Sequence, residues 1–432
     1  MSVSRNMFWF RADLRVSDQH FSGELGYDYN GVFYYSDHTT NSFSSPLPPS
    51  RFRRDFLRQA LSELEIRLNE WNCKLYKSAL NPLDDIPRIC ISEGITEVTC
   101  SRGFSWFERW QEVQLKKLLD RIGVVLNVSD AERFPWMPEV ALHPKSIFTD
   151  YRRKMEPLLV RGITDARQPP PSDVLQAAKH SLGNRNTEDS YCAVIGGESW
   201  AQLRINDFVR SGGGIERYVE TRNGMLGYGY SSMLAPYLAI GCCSAAQVFD
   251  AVKIFELEYG SSKSSYWLIF ELLWRSYFKW ISEIHAHRIF VSSGYNGRNE
   301  PRGLKDRNKF RQWVRGETSE PIVNACMREL GHTGFMGNRA RQIAASYLIH
   351  DLAVEWTWGA RYFEHMLIDF DPCSNYGNWA YLAGVGSDSR PSRRFNPTLQ
   401  QEKYDPMKLF VNHWMGWNAI EPEEEIFELI TN

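Results

Sequence analysis

Three side chains of different chemistry fall within five residues at Glu271-Leu-Leu-Trp274-Arg275. On a helix, spacings of i, i+3 and i+4 put them on one face. A carboxylate, a flat ring and a guanidinium together suit a nucleobase. The plainer reading is a salt bridge between Glu271 and Arg275, although Leu272, Leu273 and Phe278 argue against full exposure of that helix. A second cluster, Gly334-Phe-Met-Gly-Asn338-Arg339-Ala-Arg341-Gln342, opens an otherwise apolar helix with two arginines. There they oppose the helix dipole, a cost that points to an acid or a phosphate as partner. A third, Asp369-Phe-Asp371-Pro-Cys-Ser-Asn375-Tyr-Gly-Asn-Trp379-Ala-Tyr381, places two acids before a compact Asn/Gly/Trp segment. These acids are candidates for helix caps or for partners of Arg341. In the fourth, residues 220–241, a glycine-containing loop runs through Ser231 and Ser232 into an apolar helix. That arrangement suits a phosphate and equally an ordinary N-cap.

The elements that must position these groups follow from hydrophobic period. Residues 6–16 begin with a short apolar run and read as a first strand, 29–35 as a second, 95–100 and 124–128 as later ones. Phe52, Phe56, Leu57, Leu61, Leu64 and Leu68 recur at helical spacing, and residues 110–119 read as another helix. Strand and helix alternating over residues 1–130 predict an open, mostly parallel α/β domain. It has no GxGxxG after its first strand and no GxxxxGK[ST], so neither a dinucleotide nor a P-loop site is indicated. Residues 131–198 hold three prolines at 169–171 and the polar stretch GNRNTEDS at 183–190, and predict a long connector over the surface. From about Trp200 the pattern is helical, giving an all-α domain over 199–432.

Composition sets the limits. With 432 residues and a formal net charge of −2, the chain is long enough for two or three domains with full cores. No apolar run reaches the roughly 18 residues of a membrane helix, and the N-terminus has no secretory apolar stretch. A soluble cytoplasmic protein, monomeric and not membrane-bound, is the expectation. The eight cysteines form no CxxC pair, so no metal site is signalled and reduced, buried thiols are expected. Nine of the fifteen tryptophans lie between Trp267 and Trp417. Most of these are read as core packing, Trp267, Trp280 and Trp313 among them, but such a cluster also serves a ring cofactor, a nucleobase or electron transfer. Residues 301–311 carry five bases and one acid, the last twelve residues five Glu and no base. The basic stripe reads as a solvated loop or as an anion-binding face.

Taken in order, WFRADLR (Trp9–Arg15), ETRNGMLG (Glu220–Gly227), ELLWRSYF, MRELGHTGFMGNRARQIAASYL and CSNYGNW resemble the photolyase/cryptochrome family, and within it most the DASH cryptochromes. The resemblance spans nearly the whole chain. It implies an α/β antenna domain, a connector, and a helical domain holding FAD at the floor of a cavity that faces DNA. The implied activity is blue-light repair of cyclobutane pyrimidine dimers, preferentially in single-stranded DNA, by an electron from photoexcited reduced FAD. The alternative is a photoreceptor that signals without efficient repair. A plain flavin oxidoreductase lacks any nicotinamide motif.

Carried over residue by residue, the resemblance implies Asn375 beside the flavin N5 and Asp369 paired with Arg341, with Asp371 near the ring and ribityl chain. Arg275 and Asn338 would line the cofactor site, and Tyr218, Ser231 and Ser232 would bind the phosphate end. Glu271 would hydrogen-bond the dimer, which requires a protonated carboxyl favoured by burial. Trp274 and Tyr381 would pack on the flipped bases, and Asn338, Arg339 and Arg393 would contact DNA. Trp379 and Trp356 would be the first two links of the photoreduction chain.

The chain departs from the family pattern in places. Met233 and Ala235 replace small polar residues of the phosphate loop, Ser276 stands where an Asp is usual, and Gly303 replaces the third, surface tryptophan. Trp358 is therefore expected to reroute the electron path outward, with Tyr347 and Tyr362 on the same stretch. A methenyltetrahydrofolate antenna is admitted by the resemblance, with Glu112 as its contact.

Overall fold

The computed structural model describes residues 5–19, 31–36, 47–130, 132, 134, 142–159, 194–227, 229–296, 303–387 and 393–432. Five strands, β1 (Asn6–Phe10), β2 (Gly31–Ser36), β3 (Lys74–Ser78), β4 (Glu97–Ser101) and β5 (Val125–Ser129), form one sheet in the order β3-β2-β1-β4-β5. Every pairing is parallel. Side chains alternate between the two faces. Met7, Trp9, Val32 and Tyr34 pack on one side against helices α2 (Pro82–Glu93) and α3 (Trp106–Asp120). Phe8, Phe10, Phe33 and Tyr35 pack on the other against α1 (Arg51–Asn69) and the helical half of the chain. Both faces are covered, as an all-parallel sheet requires.

The α/β reading of the first 130 residues holds, with two additions. β3 was not legible because KLYKS is an edge strand with Leu75 as its single buried residue. α2 was obscured by prolines at both position 82, where Asn81 caps the helix, and position 87. The described part of the expected connector is not a surface wrap. Residues 148–159 form helix α4, whose Phe148, Tyr151, Met155 and Leu159 are buried in the larger core. The proline run and the polar stretch at 183–190 lie outside the described residues.

From Glu198 onward the described residues are helical, with Leu304–Val354 as a lone bridge. The backbone joins the two halves directly. Leu14 N–H donates to Ile240 O at 3.0 Å, and Val16 N–H donates to the buried Glu198 carboxylate at 2.8 Å. These bonds fix the 231–241 segment relative to the sheet. The long helix Lys263–His285 starts from a capping box of Ser262 and Ser265. It meets helix Pro372–Leu382 at Gly377, where an added Cβ would lie 2.3 Å from Phe278 Cδ1. That close approach sets the distance between the two helices that carry most of the polar candidates.

The basic stripe and the acidic terminus, unrelated in sequence, meet in space. Arg307 pairs with Glu428, Arg311 with Glu424 through two bonds of 2.9 and 3.0 Å, and Arg315 with Glu421 at 3.0 Å. Arg307 and Arg311, in the described part of the stripe, are thus neutralised internally and do not form an open phosphate-binding face.

Candidate functional site

A cavity of about 420 Å³ opens among helices Lys263–His285, Asn338–Ser346 and Pro372–Leu382 and the segment 218–239. Its size lies within the range of small-molecule and cofactor sites. The four polar clusters of the sequence converge on it. Tyr218, Ser231, Ser232, Glu271, Trp274, Arg275, Asn338 and Arg341 line it, as do Asp369, Asp371, Asn375, Trp379, Tyr381 and Arg393. Trp356 and Arg339 do not.

The two acids of the third cluster play both roles that their sequence allowed. Asp371 caps helix Pro372–Leu382, accepting from Ser374 N–H at 2.6 Å. Asp369 Oδ2 accepts from Arg341 Nη2 at 2.7 Å, while Arg341 Nε donates to Met336 O. Asp369 Oδ1 and, across the same cavity, Gln342 Oε1 are buried and find no protein partner. Orphaned acceptors of this kind are expected where a ligand completes the bonding. Asn375 commits its amide N–H to Ala360 O at 2.9 Å, so Oδ1 is the group it can offer. Arg275 donates to Leu238 O at 3.0 Å. The 231–234 turn is held from behind by Arg204, which donates to Ser231 O and Ser232 O. Met233 takes a positive φ of 53° there, which a small polar residue would not ease. The helix that follows, Ala235–Ile240, has only six residues, so the hydroxyls of Ser231 and Ser232 matter more than its dipole.

Glu271 does not pair with Arg275. Its partner is Arg222, whose Nη2 lies 2.7 Å from Glu271 Oε1 and whose guanidinium stacks over Trp267 at 5.1 Å. Arg222 sits in the ETRNGMLG run but was not singled out, because nothing local in the sequence ties residue 222 to residue 271. Burial pushes the Glu271 carboxyl up, and Arg222 opposes that shift. Burial raises Tyr218 as well, with Glu271 adding to it. Trp274 has one face covered by Phe148 in a stack of 3.7 Å and 11°. Tyr381 stands edge-on to Trp274 at 5.9 Å and carries Arg393 on its face at 4.0 Å. Burial lowers Arg393 to about 10. The Trp274 and Tyr381 rings both line the cavity. Arg339, outside the cavity lining, donates to Asn223 Oδ1 at 2.9 Å with its guanidinium over Tyr404 at 4.4 Å.

Trp379 is a buried wall of the cavity, edge-on to Phe363 at 5.1 Å and to Trp313 at 6.2 Å. Trp356 is fully buried, donates to Ser292 O, and meets Tyr376 rather than Trp379 in a ring contact at 6.4 Å. Trp358 does not point outward. It is 4% exposed and packs on Phe310 at 5.4 Å. Gly303 cannot regain a ring, because with φ +107° an added Cβ would lie 2.4 Å from the Val354 carbonyl carbon.

In the α/β domain, Glu112 is held inside the protein through Oε1. It is buried and accepts from Arg11 Nη1 and Gly103 N–H, each at 2.6 Å. Among the described residues no group of His, Cys, Asp and Glu forms a metal site, and no helix is long and apolar enough to cross a membrane.

Residues 6–172 match the family model described as DNA photolyase, and residues 267–431 that described as the FAD binding domain of DNA photolyase. A cryptochrome DASH of Synechocystis sp. is 33% identical over 95% of this chain and 87% of its own. One of Vibrio parahaemolyticus is 33% identical over 100% and 97%. The crystal structure of a Synechocystis sp. cryptochrome superposes with a TM-score of 0.83 at 31% identity, covering 96% of this chain and 90% of that one. A bacterial class III photolyase from Agrobacterium tumefaciens gives 0.76 at 25% identity, over 96% and 87%.

Proposed function

This chain belongs to the DNA photolyase/cryptochrome family, and on that premise we propose that it is a light-driven lyase acting on cyclobutane pyrimidine dimers, preferentially in single-stranded DNA. The observation that carries the proposal is that one cavity joins two sets of residues. One set fits a flavin: the Asp369–Arg341 pair with its orphaned carboxylate oxygen, Asn375, Arg275, and the hydroxyls at the 231–232 turn. The other set fits a pair of flat bases: Trp274, Tyr381 and Glu271.

When bound and reduced, FAD supplies the light-driven electron that reverses the dimer. Everything else belongs to the chain. Arg341, fixed by Asp369 and Met336 O, presents a positive charge of defined position to the cofactor. Tyr218, Ser231 and Ser232 supply hydroxyls for its phosphates, and Asn375 an amide oxygen for its ring edge. Trp274 and Tyr381 give the stacking surfaces that offset the cost of unstacking a nucleotide. Burial raises the Glu271 carboxyl, the direction that favours a protonated form able to donate to a dimer carbonyl. Arg393, in the cavity lining, and Arg339, outside it, are the cations proposed for the backbone phosphates. The internal pairing of Arg307 and Arg311 withdraws two cations of the basic stripe from a second strand, which supports the single-strand preference.

The test is repair under blue light of matched oligonucleotides carrying one dimer, single- and double-stranded, by protein whose absorption spectrum shows flavin. Dimer loss that depends on light, and that is faster in the single strand, supports the proposal. Flavin without light-dependent dimer loss in either substrate would sink it in favour of a photoreceptor.

A further inference from the structure

We propose that Tyr376, with Glu364 as its proton acceptor, is the internal electron donor that ends the photoreduction path of this chain. The inference rests on the flavin reading above and goes beyond it. Tyr376 lies next to Asn375 on the cavity-lining helix but is itself fully buried. Its hydroxyl donates to Glu364 Oε2 at 2.7 Å, and Glu364 is 2% exposed. Its ring meets the ring of Trp356 at 6.4 Å. Trp356 in turn lies on helix Trp356–Met366, which meets Trp379 at Gly359, where an added Cβ would be 2.3 Å from the Trp379 ring. The cavity wall thus touches the helix that carries Trp356, one turn along it, and indole, phenol and carboxylate follow one another by ring contact and hydrogen bond.

The alternatives on this stretch lack one part or another. Gly303 is sealed against the backbone of Val354 and Glu355. Trp358 is buried on Phe310. Tyr347 shares a hydrogen bond of 3.1 Å with the Ser319 hydroxyl, not with a carboxylate. Tyr376, by contrast, sets its hydroxyl directly on a carboxylate. That matters because an oxidised phenol is a far stronger acid than any carboxylic acid. Transfer to Glu364 is downhill even with Arg361 nearby and Arg53 Nη1 bonded to the Glu364 backbone carbonyl.

The oxidant is the light-excited oxidised isoalloxazine, acting through Trp379 and Trp356. One electron leaves Tyr376 for the oxidised Trp356 ring. The phenolic O–H bond breaks, and its proton forms an O–H bond on Glu364 Oε2. The products are a neutral phenoxyl and a neutral carboxylic acid, with Trp356 restored. An external thiol then returns one electron and one proton to Tyr376, and Glu364 loses its proton to solvent.

The experiment uses full-length, flavin-loaded, oxidised protein under blue-light flashes with dithiothreitol. Radicals are read by electron paramagnetic resonance and transient absorption, and melting is recorded for each variant. Wild type should show a tyrosyl signal whose formation slows in deuterium oxide. Tyr376→Phe should lose that signal and photoreduce several-fold more slowly. Glu364→Gln, which keeps an acceptor for the hydroxyl but cannot hold the proton, should melt near wild type and also lose the signal. A tyrosyl signal that persists in Tyr376→Phe, or unchanged signal and rate in Glu364→Gln, overturns the proposal. Flavin bound but only tryptophanyl radicals in wild type overturns it while leaving the flavin reading intact. Protein that releases no flavin on denaturation overturns both.

Discussion

Removing the charge of Arg222 should move the pH dependence of repair upward. Glu271 is under two opposing influences: burial raises its carboxyl and Arg222 lowers it. The Nη2–Oε1 separation is 2.7 Å, with side chains 19% and 30% exposed. A pair of unit charges at about 4 Å is worth about 1 kcal/mol in water and about 4 kcal/mol at an effective dielectric of 20. Partial exposure puts this pair between those limits, so about 2 kcal/mol is a fair figure after screening. Arg222→Met should therefore raise the Glu271 carboxyl by the amount that this energy sets. If the protonated carboxyl serves the dimer, repair falls as pH rises through that pKa. The basic limb of Arg222→Met should then lie above the wild-type limb by that amount, while Arg222→Lys keeps the charge and should stay close to wild type. The assay is dimer loss per absorbed photon against pH, with chemically reduced protein and saturating single-stranded substrate. A limb that stays put or moves down in Arg222→Met refutes the reasoning. So does a Glu271→Gln variant with the same limb, because an amide does not titrate.

Glu329 is buried and held well above the usual carboxylate range by burial. The folded protein therefore keeps a proton that the unfolded chain releases above about pH 4.3, and stability from this residue is lost as pH rises. Glu329→Gln should raise the melting midpoint, with a wider gap from wild type at pH 8 than at pH 5. Gly303→Ala, forced to φ +107° against the Val354 backbone, should cost at least about 2 kcal/mol in denaturant titration. Asp369→Asn, which leaves Arg341 without its carboxylate, should lower flavin occupancy of purified protein, read from the absorbance ratio of bound flavin to protein. Arg339→Ala should weaken oligonucleotide binding and reduce the slope of log affinity against log salt by about one, whereas Arg311→Ala, already paired with Glu424, should change neither.

Much of the fold was legible because its signals are local. Apolar runs placed β1, β2, β4 and β5, helical spacing placed α1 and α3, and the polar clusters stood out in a half whose pattern was helical throughout. What failed was of two kinds. β3 and α2 carry weak local signals, an edge strand with one buried residue and a helix containing prolines. The partners of charged groups are set by tertiary distance, which no spacing rule reaches. Helical spacing made Arg275 the natural partner of Glu271, yet Arg222 holds it from 49 positions away. Spacing alone also sent Trp358 to the surface by turning it away from Trp356. Helix Trp356–Met366 is buried on both sides, so pointing away from one residue means pointing into another part of the core.

The pairing of the basic stripe with the acidic terminus bears on how the chain meets nucleic acid. Each of these ion pairs is partly exposed and worth no more than about 1 kcal/mol, so the reason for them is not chiefly stability. Three arginines in one short segment would otherwise project a field strong enough to hold any polyanion at the wrong place. Glu421, Glu424 and Glu428 cancel that field where it arises. Arg393 remains in the cavity lining and Arg339 outside it, each with its guanidinium over an aromatic ring. The consequence is a small, directed footprint. On the proposed function, phosphates would be gathered beside Trp274 and Tyr381, and non-specific duplex binding would gain little. Damage selectivity would then come from the cavity itself, which an unstacked lesion can enter.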